Sequence, residues 1–379
     1  MTATLPQASE LDALITDTVA RNAGQVDSAG EFPEENIAAL GRAGFLGLTS
    51  AADVGGGQGM RAAAEVIERL AAECGSTAMV LLMHYAGTAV IEAHGPADVR
   101  RAIAAGNHLT TLAFSEFGSR SHFWAPLGTA TADGDRVRLD ARKSWVTSAA
   151  HADSYVWSSL PLSGAEGMSL WLVPSGLPGL EVSGGFDGLG LRGNGSRPMT
   201  ADGVTVSPDV LLGADGAGLD VALTVALPWF LVLNAAFCLG LAESAVAEAS
   251  RHLTATTLQH TGAALRDAPV ARRDLAVLRI RTDSLRAFLG DTLTALETGR
   301  EDATLRVLEV KALAGETAAD VTDGAMRLCG GSAFRKELGL ERRFRDSRAA
   351  RVMAPTTDAL HDFVGRVTTG LPLLDEANR

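Results

Sequence analysis

The chain has 379 residues, 46% hydrophobic and 21% charged, which is enough to bury a large core and too apolar for a disordered chain. Its 33 basic and 45 acidic residues give a net charge of −12, which argues against a general nucleic-acid or anionic-membrane surface. Three dispersed cysteines (Cys74, Cys238 and Cys329) show no CxxC or Cys/His spacing, so neither a disulfide framework nor a metal site is expected.

The opening MTATLPQASELDALITD has no basic n-region followed by an apolar run. No signal or transit peptide is expected, and a reducing cytoplasm fits. Residues 1–110 read as a helical domain. Pro33 stands at a first helical position in FPEENIAAL, with Glu34 and Glu35 in the first turn. Ala63, Val66, Ile67, Leu70 and Cys74 recur at helical spacing. DVGGGQGM is a turn rather than a phosphate loop, because no strand pattern precedes its glycines and no P-loop lysine follows.

From 111 to 217 the pattern becomes a β-domain. Asp133-Gly134 is a hairpin turn, and Val137, Leu139 and Ala141 alternate after it. DSYVWSSL and SLWLVP are further strands bounded by turn formers. Residues 218–379 are helical again, with one apolar stripe at Leu278, Leu285, Phe288, Leu289, Leu293 and Leu296 and another at Leu305, Leu308, Ala312 and Val321. Gly330-Gly331 ends that second helix. Val221 to Ala242 carries no formal charge and is long enough to span a bilayer. Asp220 and Glu243 flank it and Pro228 and Asn234 interrupt it, so a helix buried in a bundle is expected instead of a membrane span.

Four segments, in order, resemble motifs of the acyl-CoA dehydrogenase superfamily of flavin enzymes. AFSEFGSRS resembles "T-E-P-x-x-G-S-D", and KSWVTSAAHADSYVW resembles "K-x-W-I-T-N-A … A-D". GLGLRGNGSRPMTADGVTVSPDVLLG and LCGGSAFRKELGLERRFRDSRAARV resemble the later glycine-rich and "R-D-A" segments. The resemblance implies an α+β fold: an N-terminal helical domain, a middle β-barrel or sandwich domain and a C-terminal four-helix bundle. It also implies FAD between the β-domain and the bundle, completed by a neighbouring subunit of a homotetramer or homodimer.

By position in those motifs, Phe114 and Ser115 would line the flavin pyrimidine, Trp145 would pack on the ring system and Thr147 would reach its N5 edge. Gly330 and Gly331 would approach a partner's flavin pyrophosphate, with Thr356 and Asp358 near the same phosphates. Ser121 matches a serine placed along a thioester arm. The bland reading of Ser115, Thr147 and Trp145 singly is an ordinary strand or core residue, and the ordered set favours flavin contact.

Two departures bear on function. Dehydrogenation of an acyl thioester needs a carboxylate that removes a proton, a contribution of ~10²–10⁴ in rate. The family's "E-G-T" position holds Ala354 and Pro355 in VMAPTTDAL. The alternative base position on the first bundle helix holds Phe230 and Leu231. The family's "R-x-T-F-G" flavin clamp reads Ala255, Thr257 and Leu258. Arg327, where relatives place a glutamine, is read equally as a substitute phosphate ligand and as a helix-end ion-pair partner.

Three functions follow from the resemblance and these departures. The first is a monooxygenase acting on a small molecule with oxygen and reduced flavin from a separate reductase. His84 and His122 would then be catalytic, supporting oxygen chemistry or deprotonating a phenol or amine, and Trp229 and Phe230 would make the substrate side aromatic. For each histidine the bland reading is a hydrogen-bonded structural residue, and core packing explains the two aromatics equally well. The second is an acyl-CoA or acyl-carrier-protein dehydrogenase that passes electrons to an electron-transfer flavoprotein, with His84, Glu116 or Asp358 as base. The third is a non-catalytic partner subunit of a mixed oligomer.

Overall fold

The computed structural model describes residues 7–120 and 122–374. Six helices lead the chain: α1 (Ala8–Leu14), α2 (Ala20–Ala29), α3 (Glu34–Arg42), α4 (Met60–Glu73), α5 (Gly75–His94) and α6 (Ala97–Ala104). Pro33 caps α3 from one residue outside it, not from its first turn. Of the predicted α4 stripe, Ala63, Val66, Ile67 and Leu70 are buried, and Cys74 is buried just beyond the helix end.

Among the described residues, seven strands form two sheets. The strands are β1 (Thr110–Ala113), β2 (Thr129–Asp133), β3 (Arg136–Val146), β4 (Ser154–Ser159), β5 (Ser169–Pro174), β6 (Leu180–Val182) and β7 (Arg197–Val206). One sheet has the order β1-β4-β5, with β1 parallel to β4; the other is antiparallel, with the order β2-β3-β7-β6. The period-2 pattern of β3 holds, with Val137, Leu139 and Ala141 facing inward. The same parity turns Lys143 inward, where Nζ meets Glu116 Oε1 at 2.5 Å and donates to Ser158 O and Oγ. A buried lysine is tolerated there because all three hydrogens find acceptors and one acceptor is charged.

The chain then returns to helices: α7 (Gly218–Val221), α8 (Leu227–Ala255), α9 (Pro269–Thr298), α10 (Ala303–Cys329), α11 (Leu340–Ser347), α12 (Ala349–Val352) and α13 (Thr357–Thr368). By length and composition, helix 218–255 is apolar enough to cross a membrane, with a mean hydropathy of 2.0, yet most of that stretch is buried within the protein. It packs against α4, α5, α9 and α10, and Gly240 lets it approach α4 so closely that a Cβ there would lie 2.1 Å from Glu68 O. Leu231, Leu233 and Phe237 of α8 share one core with Val80, Leu81 and Val90 of α5. The first and last helical segments are therefore joined by packing, although the β-strands separate them in sequence.

Candidate functional site

A pocket of about 550 Å³ opens where β1, β3, α8 and α12 converge. Three local irregularities shape it. Between Lys143 and Val146 the pairing of β3 with β7 slips, and Trp145, a residue 69% exposed, adopts φ +58° and lines the pocket. A bulge of this kind re-aims a side chain, and a non-glycine residue at positive φ persists only where its surroundings hold it. A π turn at residues 222–226 precedes α8, whose Pro228 has no N–H to continue the helical ladder, and Ala222, Ala226 and Leu227 face the pocket there. Leu191, at φ +53°, is pinned by its N–H donating to Asp346 Oδ1 at 2.6 Å.

Six of the predicted residues meet in this pocket: Phe114, Ser115, Trp145, Thr147, Phe230 and Ala354. Phe114 and Phe230 are nearly buried, and with Met83, Leu112, Phe123 and Leu227 they make its wall apolar. Thr147 Oγ1 lies 3.2 Å from Ser196 Oγ. Among the described residues nothing accepts from the backbone N–H of Ser115 or of Thr147. An exposed indole, two free N–H donors and an apolar pocket of this volume fit a flat heteroaromatic ring with polar edge atoms, as a flavin is.

The other predicted residues lie elsewhere. His84 is fully buried on α5 and outside the pocket. Its Nδ1 accepts from Thr110 N–H at 3.1 Å, so Nε2 carries the proton and donates to Leu46 O at 2.9 Å. Burial, only partly offset by those hydrogen bonds, pushes its pKa down to about 4. Both ring nitrogens of His84 are thus engaged by backbone, tying α5 to β1 and to the segment after α3 away from the pocket. His122 is exposed, with Nδ1 2.7 Å from Ser119 O and its ring edge-on to Trp124, and it does not line the pocket. Trp229 packs half-buried against the main core, away from the pocket lining. Ser121 lies outside the described residues.

Arg327, Gly330 and Gly331 form an exposed group at the end of α10. Gly330 has φ +55°, and a Cβ at either glycine would meet no atom within 4 Å. Arg327 has no ion-pair partner among the described residues, so the helix-end pair, one of its two readings, is not formed. Thr356 caps α13 by accepting from Ala359 N–H at 3.3 Å, and Asp358 is exposed in the first turn of that helix. Neither lines the pocket. Glu116 is committed to Lys143 and to the N–H groups of Leu127 and Gly128.

Sequence reasoning missed the arginines of the pocket. Arg345 reaches Asp27 of α2 through both Nη atoms, at 2.9 and 2.6 Å, and Glu341 through Nε at 2.7 Å. Arg348 donates to Phe344 O and Ala319 O and stacks on the Phe344 ring. Among the described lining residues these two arginines are the only titratable groups; no carboxylate, imidazole, phenol, thiol or amine is present. The "R-D" dipeptide was visible in the sequence, but its partners Asp27 and Leu191 were not.

Family models for the acyl-CoA dehydrogenase N-terminal, middle and C-terminal domains match residues 8–106, 111–204 and 216–368. The chain is 28% identical over 367 residues to cyclohex-1-ene-1-carbonyl-CoA dehydrogenase of Geobacter metallireducens, covering 95% of this chain and 94% of that protein. It is 27% identical over 346 residues to the mitochondrial short-chain specific acyl-CoA dehydrogenase of Homo sapiens, covering 89% and 82%. Butyryl-CoA dehydrogenase from Megasphaera elsdenii has the same fold, with a TM-score of 0.90 and 21% identity over 97% of this chain and 99% of that one. The prolyl acyl carrier protein oxidase AnaB superposes with a TM-score of 0.85 at 18% identity, over 95% and 99%.

Proposed function

The chain belongs to the acyl-CoA dehydrogenase superfamily of FAD-dependent oxidoreductases, and from that premise we propose a monooxygenase that acts on a small, largely apolar molecule. One observation carries this reading: the described pocket lining, which includes Ala354 and Phe230, holds no group able to take a proton from carbon. FAD, when bound, supplies the two-electron chemistry. In the overall balance one atom of O₂ enters the substrate and the other leaves as water, with two electrons supplied by a separate flavin reductase. Phe114, Phe123 and Phe230 exclude water and receive the apolar substrate. The N–H groups of Ser115 and Thr147 and the indole of Trp145 hold and orient the ring system.

A second reading, dehydrogenation of an acyl-CoA or carrier-bound acyl group, draws on the printed activities of the relatives. It needs a base, and His84, Glu116 and Asp358 all lie outside the pocket. Two experiments separate the readings. Anaerobic addition of short and medium acyl-CoA thioesters is expected to leave the bound flavin yellow; rapid bleaching would overturn the proposal in favour of dehydrogenation. Rapid mixing of the protein and reduced FAD with oxygen is expected to give a transient absorbance distinct from oxidised and reduced flavin. Decay no different from that of free reduced FAD would also overturn it.

A further inference from the structure

Lys311 sits in the middle of α10 and is fully buried. Its Nζ donates to Met353 O at 3.0 Å and to Pro355 O at 2.7 Å. No carboxylate lies within ion-pair distance of it among the described residues. Cys238 of α8 is buried as well, and burial pushes its thiol up to about 12, so it stays neutral and supplies no counter-charge. Burial therefore goes largely uncompensated and pulls the Lys311 pKa down to about 8. A methionine or leucine would fill the same space on α10 without that cost.

The two carbonyls explain what the amine does. Residues 353–355 form the short link between α12 and α13, where no helix supplies donors. Met353 and Ala354 of this link line the pocket, and Thr356 caps the helix that follows. Asn234 of α8 adds only a weak contact, with Nδ2 3.9 Å from Met353 Sδ. We propose that Lys311 is a positioning residue: its paired hydrogen bonds fix the 353–355 link against α10, so that Met353 and Ala354 form one wall of the flavin pocket. The inference rests on the pocket being the flavin site of this superfamily and is independent of which reaction follows.

Lys311→Met removes both donors at nearly constant volume, and Lys311→Gln keeps an N–H₂ group on a shorter stem. FAD affinity and the visible spectrum of bound FAD are measured for each, alongside thermal stability. Thr282→Val serves as a destabilised control, since its buried hydroxyl bonds only to Leu278 O within α9. Lys311→Met is expected to weaken FAD binding about 10-fold and shift the spectrum, with Lys311→Gln intermediate and the control unchanged. Lowered stability in Lys311→Met with parental FAD affinity and spectrum would overturn the proposal. If Lys311→Met fails to fold, parental FAD affinity and spectrum in Lys311→Gln would overturn it just as well. None of these readouts depends on turnover, so failure here is distinct from failure of the monooxygenase reading.

Discussion

Acidification tests whether His84 is the neutral structural tie described above. An unfolded chain takes up a proton on this imidazole below its ordinary pKa of about 6.5, whereas the folded chain resists until about 4. Between those values the unfolded state binds more protons, so His84 makes stability rise with pH and fall on acidification. The gap, at ~1.4 kcal/mol per pH unit, amounts to ~3 kcal/mol lost between neutral pH and pH 4. Asp346 works in the opposite sense. Burial raises its pKa to about 6, so its contribution falls as pH rises from 4 to 6 and partly masks the histidine in the parent protein. His84→Gln isolates the effect, because an amide can accept from Thr110 N–H and donate to Leu46 O without titrating. Urea unfolding at neutral pH and near pH 4 should show the variant gaining ~3 kcal/mol on the parent across that interval. A constant difference, or an imidazole NMR titration at or above its ordinary value, would refute the assignment. It would also return His84 to the candidates for proton transfer.

Three further outcomes follow from packing and charge. Glu116→Gln leaves the Lys143 ammonium buried without its carboxylate and should cost ~3–5 kcal/mol in urea unfolding; adding Lys143→Met should recover part of that loss. Gly240→Ala drives a Cβ to 2.1 Å from Glu68 O and should destabilise by at least ~2 kcal/mol, whereas Gly290→Ala, with nothing within 4 Å, should be neutral or stabilising by up to ~1 kcal/mol. Ala354→Glu places a carboxylate on the pocket wall, and acyl-CoA thioesters should then bleach the flavin anaerobically at ~10²-fold or more above the parent rate, followed at the visible flavin band.

What the sequence disclosed depended on the range of the interaction that carried it. The parity of β3 was readable from Val137, Leu139 and Ala141 because it depends on period-2 geometry alone. Lys143 shares that parity, but its burial depends on Glu116, 27 positions away across a different strand end. Trp145 was named as a ring-packing residue from its motif, yet the slip that exposes it lies in the register with β7. The burial of helix 218–255 was legible because Pro228, Asn234 and the flanking acids are local marks.

The surroundings of His84 were illegible for the same reason. A histidine in an apolar helix looks alike whether it faces a cavity or a backbone. Only the fold brings Thr110 N–H and Leu46 O onto its two nitrogens. Arg345 and Asp346 show the converse. Their dipeptide was read as a family mark without a function, because Asp27 lies 318 positions from Arg345 and Leu191 lies 155 from Asp346. Together these bonds lock α11 and α2 to the loop that carries Leu189 and Leu191 into the pocket. Lys311 completes the pattern at the link between α12 and α13, where Met353 and Pro355 are 42 and 44 positions away. The pocket is thus framed by charged groups whose partners are distant in sequence, while its wall is made mostly of apolar and aromatic side chains. None of these framing bonds passes through the Ala354 side chain, so a substitution there leaves the frame of the pocket in place.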